Sequence, residues 1–338
     1  SKGYFGKRSD MAGKRVPYVQ LGYTFSALSK PMMALFAYPV WIFFVRTIDR
    51  FGKGIRTGAR DALLSDEATP ATKAKVFGFH RSMDTVGAVL GPAAALLYLY
   101  LYPGDYKTLF LLAVIPGLLA ILATFLLKEK QAAHKNKPES TPFFSFLGYW
   151  KSGSAAYRQL VTGLLLFAII NSSDVFILLK AKEAGVSDPM LIGLYIFYNL
   201  VYAIFAFPVG IVADNIGLKK TFVAGLSLFA IVYAGIALNT SFYGFGALFF
   251  IYGLYAAATE GISKAWISNI SDKKETATAI GTYSAFQSIC SMLASSLMGL
   301  AWYLLGSSTA FMLTAISCLM LIVYFTRLPA LRNKPAME

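Results

Sequence analysis

Residues 46–60 read RTIDRFGKGIRTGAR, directly after the apolar run PVWIFFV. Arg46, Asp49, Arg50, Lys53, Arg56 and Arg60 return every three or four residues, the spacing that puts side chains on one face of a helix. A charge near a bilayer centre costs a few kcal/mol, so such a row faces a partner helix or water rather than lipid. Two readings stay open. The row is an ion-pair network between helices, or it lines an aqueous path. In the second case its surplus positive charge favours an anionic or zwitterionic solute and lowers the pKa of a nearby carboxylate. Arginine keeps its proton throughout, so proton-coupled chemistry falls to other groups. The candidates are Asp49, Asp84, Asp174 and Glu260. Asp49, next to Arg50 and near mid-span, is the first choice. Asp174 joins Asn171 and Ser173 in a polar patch, while Tyr195, Tyr198, Asn199 and Tyr202 line a cavity or pack between helices. His80, near Asp84, reads as an interfacial residue more readily than as a relay. Glu260 and Lys264 stand at i, i+4 with the acid first, the favourable order for a helix pair. Cys290 and Cys318 give no disulfide framework or metal spacing. The sequence contains no H-E-x-x-H, P-loop or G-x-S-x-G. No metal, cofactor or enzymatic activity is expected.

The elements that must carry these residues are long and apolar. Hydrophobic residues make up 57% of the 338-residue chain and charged ones 14%, against about 25% charged in ordinary soluble domains. The intervals 109–127, 189–213, 221–259 and 276–326 contain no charge at all. The last two exceed the roughly 20 residues that cross a bilayer, and they break at Asn239-Thr240-Ser241 and Gly306-Ser307-Ser308. Ten spans follow, near 17–37, 40–64, 75–102, 106–127, 158–180, 189–212, 220–239, 242–266, 276–304 and 307–327. Runs this long do not alternate as barrel strands do. The net charge is +14. If the first residues are cytoplasmic, 20 of the 31 Lys and Arg residues fall on inner segments and three on outer turns. Basic flanks favour the cytoplasm, so both ends are expected there. Charge spread over membrane-flanking loops argues against nucleic-acid binding.

A repeat organises the spans. GKRSDMAGKR at Gly6 and GIVADNIGLKK at Gly210 share the frame G-x-x-x-D-x-x-G followed by basic residues. Gly6, Asp10 and Gly13 match Gly210, Asp214 and Gly217. Ala62, Ser65, Ala74 and Gly78 match Ala265, Ser268, Ala277 and Gly281 at nearly the same offset. Both frames fall on the cytoplasmic side, so the halves are parallel repeats about an axis along the membrane normal. Residues 1–127 form a four-span half, 128–157 a cytoplasmic linker, 158–327 a six-span half and 328–338 a tail. In the second half two spans precede the charged frame. In the first half only five residues do, which leads to the expectation of two further helices in a complete version.

This pattern resembles the major facilitator superfamily of secondary transporters over essentially the whole chain. The two G-x-x-x-D-x-x-G frames resemble its cytoplasmic loop motif, with Met11 and Asn215 in place of the basic residue after Asp. Arg50 to Gly54 resembles its fourth-helix pattern. Gly87, Gly91 and Pro92 resemble its fifth-helix antiporter pattern. The resemblance implies an all-α polytopic membrane protein, a two-bundle fold with about ten helices, the third to twelfth of a twelve-helix plan. It implies that Asp10 faces the positive start of the helix beginning near Thr276. Arg15 would pair with Asp61 or Asp66, and Asp214 with Lys220 would repeat the arrangement. Such contacts hold the cytoplasmic side shut. Gly87, Gly91 and Pro92 read as a packing hinge. The expected activity is alternating-access transport of a small organic solute, as proton-coupled efflux by a monomer in a bacterial cytoplasmic membrane, with lipid and protons as the other partners. Proton-symport uptake of an organic anion and a non-transporting remnant are the alternatives.

Overall fold

Helix boundaries fall where the side chains compete with the helical backbone. The computed structural model describes residues 1–129 and 142–329. Among them are fourteen α-helices and no strand: α1 (Lys2–Ala12), α2 (Val16–Leu35), α3 (Pro39–Asp66), α4 (Lys73–Leu101), α5 (Tyr106–Leu112), α6 (Val114–Thr124), α7 (Tyr149–Ser152), α8 (Ala155–Ile170), α9 (Val175–Glu183), α10 (Asp188–Ile216), α11 (Leu218–Leu238), α12 (Phe242–Ile270), α13 (Thr276–Leu305) and α14 (Ser307–Arg327). The linker's described part adds a short 3-10 turn at Ser145–Gly148; residues 130–141 and 330–338 lie outside the described residues.

Two of the expected spans are interrupted. The span near 158–180 divides into α8 and α9 at Asn171-Ser172-Ser173-Asp174, residues whose side chains offer the backbone other hydrogen bonds. The span near 106–127 divides at Ala113, because Pro116 has no N–H to give the carbonyl of Leu112. Pro92 and Pro208 sit inside α4 and α10 without ending them.

Eight helices or helix pairs are long and apolar enough to cross a membrane. The expectation of ten spans also includes α2 and α3. These have the length, about 30 and 42 Å at 1.5 Å per residue, but fall short in apolarity. In α2 a series of polar residues and prolines from Pro17 to Pro31, with Lys30 among them, lowers the apolarity; in α3 the charged row of residues 46–60 does so. Leu90, Leu97, Leu118, Leu119 and Leu122 are each about half or more exposed, as lipid-facing side chains are when no lipid covers them.

The chain clusters into two compact units that do not follow the sequence repeat. Among the described residues, the first holds 1–66, 90–129, 142–153 and 271–285; the second holds 67–89, 154–270 and 286–329. In the first unit α2 lies along α3 and against α5 and α6, and α1 packs on α3. In the second, α10 and α11 flank α12, and α14 lies against α11 and α8. The core of that unit is aromatic: Phe229 stacks on Tyr233 with ring centroids 4.0 Å apart, and Phe222, Phe245 and Phe311 are fully buried.

Candidate functional site

Two helix starts carry the charged frames. In the first unit α1 ends at Gly13, whose φ of 59° is left-handed and stops the helix. Asp10, one turn earlier, sits over the first turn of α13. Its carboxylate accepts from the Thr278 backbone N–H at 2.7 Å, the Thr278 hydroxyl at 2.7 Å and the Ala277 N–H at 3.4 Å. These donors have no partner within the helix and carry its positive end. Arg15 closes the group. It pairs with Asp10 at 3.4 Å and with Asp66, and donates to the Lys273 carbonyl at 3.2 Å. Of the two partners expected for Arg15 it takes Asp66, while Asp61, fully buried, pairs with Arg60 at 3.0 Å. Burial pushes the Asp10 carboxyl up to about 7, with Arg15 and the Thr278 and Ala277 donors pulling the other way. Glycine permits the approach: a Cβ on Gly6 would collide with the Ala277 carbonyl, and one on Gly58 would lie 3.0 Å from the Gly6 Cα.

The second unit holds the counterpart. Asp214 accepts from the Ala74 and Lys75 N–H groups at 3.0 and 2.8 Å, on the first turn of α4. A Cβ on Gly210 would lie 2.5 Å from the Ala74 carbonyl oxygen, as one on Gly6 would strike that of Ala277. The repeat offset therefore relates both partners of each contact: Asp10 and Asp214 on one side, Ala277 and Ala74 on the other. Gly217, at φ 103°, ends α10. Lys220 makes no ion pair among the described residues; its neighbour Lys219 reaches the carbonyls of Thr326, at 2.9 Å, and Leu328.

The break between α8 and α9 builds a different kind of site. Asp174 accepts from the hydroxyls of Tyr198 at 2.5 Å and Tyr252 at 2.7 Å. Asn171 donates to the Tyr255 hydroxyl at 2.9 Å. Tyr198, Tyr252 and Tyr255 are buried, and Tyr195 stands edge-on to Tyr198. Asn199, also buried, turns its amide to the Tyr195 carbonyl of its own helix at 2.9 Å. Elsewhere in this unit Arg81 binds Asp84 at 3.0 Å and also Glu260, tying α4 to α12. In the first unit Asp49 pairs with Lys30 of α2 at 3.5 Å, and Arg56 lies 4.1 Å over the Tyr23 ring. Arg46, Arg50 and Lys53 are exposed. A Cβ at Gly87 or Gly91 would meet nothing within 4 Å. The close helix contact expected at these two glycines is therefore not made among the described residues, and Pro92 lies in unbroken helix.

The Major Facilitator Superfamily model matches residues 2–200 and 177–337. The chain belongs to the major facilitator superfamily. It is 33% identical over 303 residues to an uncharacterized MFS-type transporter of Methanocaldococcus jannaschii, covering 88% of this chain and 74% of the relative. In fold it is similar to the human organic anion transporter MFSD10, with a TM-score of 0.79, 14% identity, and 96% and 80% of the two chains covered. It is likewise similar to the Escherichia coli fucose:proton symporter FucP, with a TM-score of 0.73, 13% identity, and 96% and 88% covered.

This superfamily member is thus a multi-pass membrane protein of the transporter class, and its site residues divide by how they are held. The loop-frame residues Gly6, Asp10, Arg15, Gly210 and Asp214 are brought onto two helix starts. Asp174 and Tyr198 come together, and Asp84 meets Glu260 through Arg81. Sequence reasoning missed Lys30, Arg81, Tyr252 and Tyr255. Arg81 had a signal, since it stands three residues before Asp84 on one helical face. The tyrosines had none beyond their type.

Proposed function

We propose that the chain is a secondary active transporter that moves a small organic solute by alternating access, as efflux driven by proton antiport. The supporting observation is the mirrored pair of carboxylates, Asp10 and Asp214, each seated on the first turn of a helix from the opposite repeat. Contacts related by the repeat and made of few hydrogen bonds can be formed and released together, as alternation between two states requires. In this reading the two seats close the cytoplasmic side and part when it opens. The Gly87, Gly91 and Pro92 motif supports the direction through its likeness to antiporters. The setting is a bacterial cytoplasmic membrane with both ends inside, and the protein acts as a monomer without a cofactor.

The test uses proteoliposomes whose interior corresponds to the cytoplasm, loaded with the permanently charged probes benzyltrimethylammonium and benzenesulfonate. Acidifying the outside speeds loss of a transported probe under antiport. Accumulation under the same gradient would reverse the direction, and no protein-dependent flux of any probe would remove the reading. A second reading, uptake of an organic anion by proton symport, is favoured by the exposed row Arg46, Arg50 and Lys53, where Asp49, the acid of the row, already answers to Lys30. Accumulation of benzenesulfonate alone would select it.

A further inference from the structure

Among the described residues, the acids of the membrane helices are nearly all answered by a cation. Asp49 has Lys30, Asp61 has Arg60, and Asp84 and Glu260 share Arg81. Glu183 has Lys180 and Asp188 has Lys182. Asp214 has two helix-start N–H groups instead. Asp174 has neither. No Lys, Arg or His pairs with it among the described residues, its side chain does not cap α9, and its two hydrogen-bond partners are neutral phenols. The basic residues of its own helix, Lys180 and Lys182, are turned to Glu183 and Asp188. An intramembrane carboxylate in this state is a functional feature whose partner must be sought.

The surroundings say what that partner is. Three residues earlier, at the start of the same break, the Asn171 side-chain oxygen is buried and accepts no hydrogen bond. Its amide nitrogen is already committed to Tyr255. An unused acceptor and an unanswered carboxylate together call for a donor that is also positive. The neighbouring side chains are aromatic: Tyr252 lies 5.3 Å from Tyr198 and 5.2 Å from Tyr255, centroid to centroid, with Tyr195 5.5 Å from Tyr198. Ring faces attract organic cations. Asp174 is part-exposed, so its carboxylate is reachable, while the Asn171 oxygen itself is buried.

We propose that the α8–α9 break is a binding site for the protonated amino group of the solute, with Asp174 as its counter-ion, Asn171 as a second acceptor and the tyrosines as its cage. That the amine is a transported solute rests on the transport reading; its binding is measurable without turnover. The full-length protein in detergent is titrated with benzylammonium, benzenesulfonate and sodium chloride, and thermal stabilisation is read. Benzylammonium stabilises and the other two do not. Asp174→Asn weakens benzylammonium binding by about 30-fold or more, the cost of leaving a buried ionic contact unpaired. Tyr252→Leu, which keeps the carboxylate and removes one ring face, weakens it by about fivefold, the worth of one cation–ring contact. Equal stabilisation by benzenesulfonate or by sodium, or an Asp174→Asn affinity within twofold of the parent, would overturn the site. Binding with no flux in the proteoliposomes would leave the site standing and remove the transport reading; flux without amine binding would do the reverse.

Discussion

Asp10 and Asp214 occupy equivalent places in the repeat, yet they are held differently. Both accept two backbone N–H groups at a helix start. Asp10 has in addition the Thr278 hydroxyl and Arg15, and its side chain is 5% exposed. Arg15 is itself anchored by Asp66 and the Lys273 carbonyl. Asp214 has no side-chain hydrogen-bond or ion-pair partner among the described residues, and Lys219, after Gly217, turns to the Thr326 and Leu328 carbonyls. The backbone geometry was copied with the repeat, because glycine and aspartate at fixed spacing suffice for it. The side-chain layer was not, because Thr278 and Asp66 lie outside the frame and Lys219 stands where Arg15 does in the first copy. If the seats gate transport as proposed, they part together, and the less-held seat on α4 opens further.

Substitutions at these positions can break or sharpen that contrast. Asp10→Ala removes the carboxylate from the Ala277 and Thr278 donors and leaves Arg15 with Asp66 and the Lys273 carbonyl. It is expected to cost about 3 kcal/mol of stability, read by chemical denaturation in detergent, and to raise labelling of a cysteine placed in the first turn of α13. Gly6→Ala and Gly210→Ala come next, at about 1–3 kcal/mol each, since either methyl strikes a carbonyl of the facing helix. Near-equal losses would show that the backbone contact is symmetric; a loss at only one would end that claim. Asp214→Ala is expected to cost about 1 kcal/mol, a helix cap without an ion pair. A cost matching that of Asp10→Ala would refute the proposed inequality. Lys220→Gln should change stability by less than about 0.5 kcal/mol.

Burial raises the pKa of both carboxyl groups, and for Asp10 the size of the shift sets a pH window. Burial raises the Asp10 pKa from 3.8 to about 7 in the folded protein. The folded state then binds more protons than the unfolded one across that window. Its stability therefore falls as pH rises from about 4 to about 7 and is level above. Asp10→Asn, which mimics the protonated form, should flatten that slope. An unchanged slope in the variant would assign it to another group.

Much of this arrangement was legible in sequence, and the part that was not has a physical cause. The frames at Gly6 and Gly210 could be read because a turn and a helix cap are local, fixed by spacing alone. The span near 158–180 was read as one helix although NSSD marks the point where it breaks, since apolar length outweighs four polar residues in any average along the chain. The partners of Asp174 come from α10 and α12, the second 78 residues away, and tyrosine is so common here that type alone selects none. Glu260 looked toward Lys264 by helical spacing, whereas its pairing with Arg81 depends on how α4 meets α12. Asp49 was noticed for its neighbour Arg50, but the cation at 3.5 Å is Lys30 of α2.

Hydrogen–deuterium exchange in proteoliposomes, read at the amides of Ala74, Lys75, Ala277 and Thr278 with and without a proton gradient and transported probe, tests the gate most directly. The account predicts that protection at both helix starts falls together during turnover, further at α4 than at α13. Sustained solute flux with all four amides fully protected would contradict it.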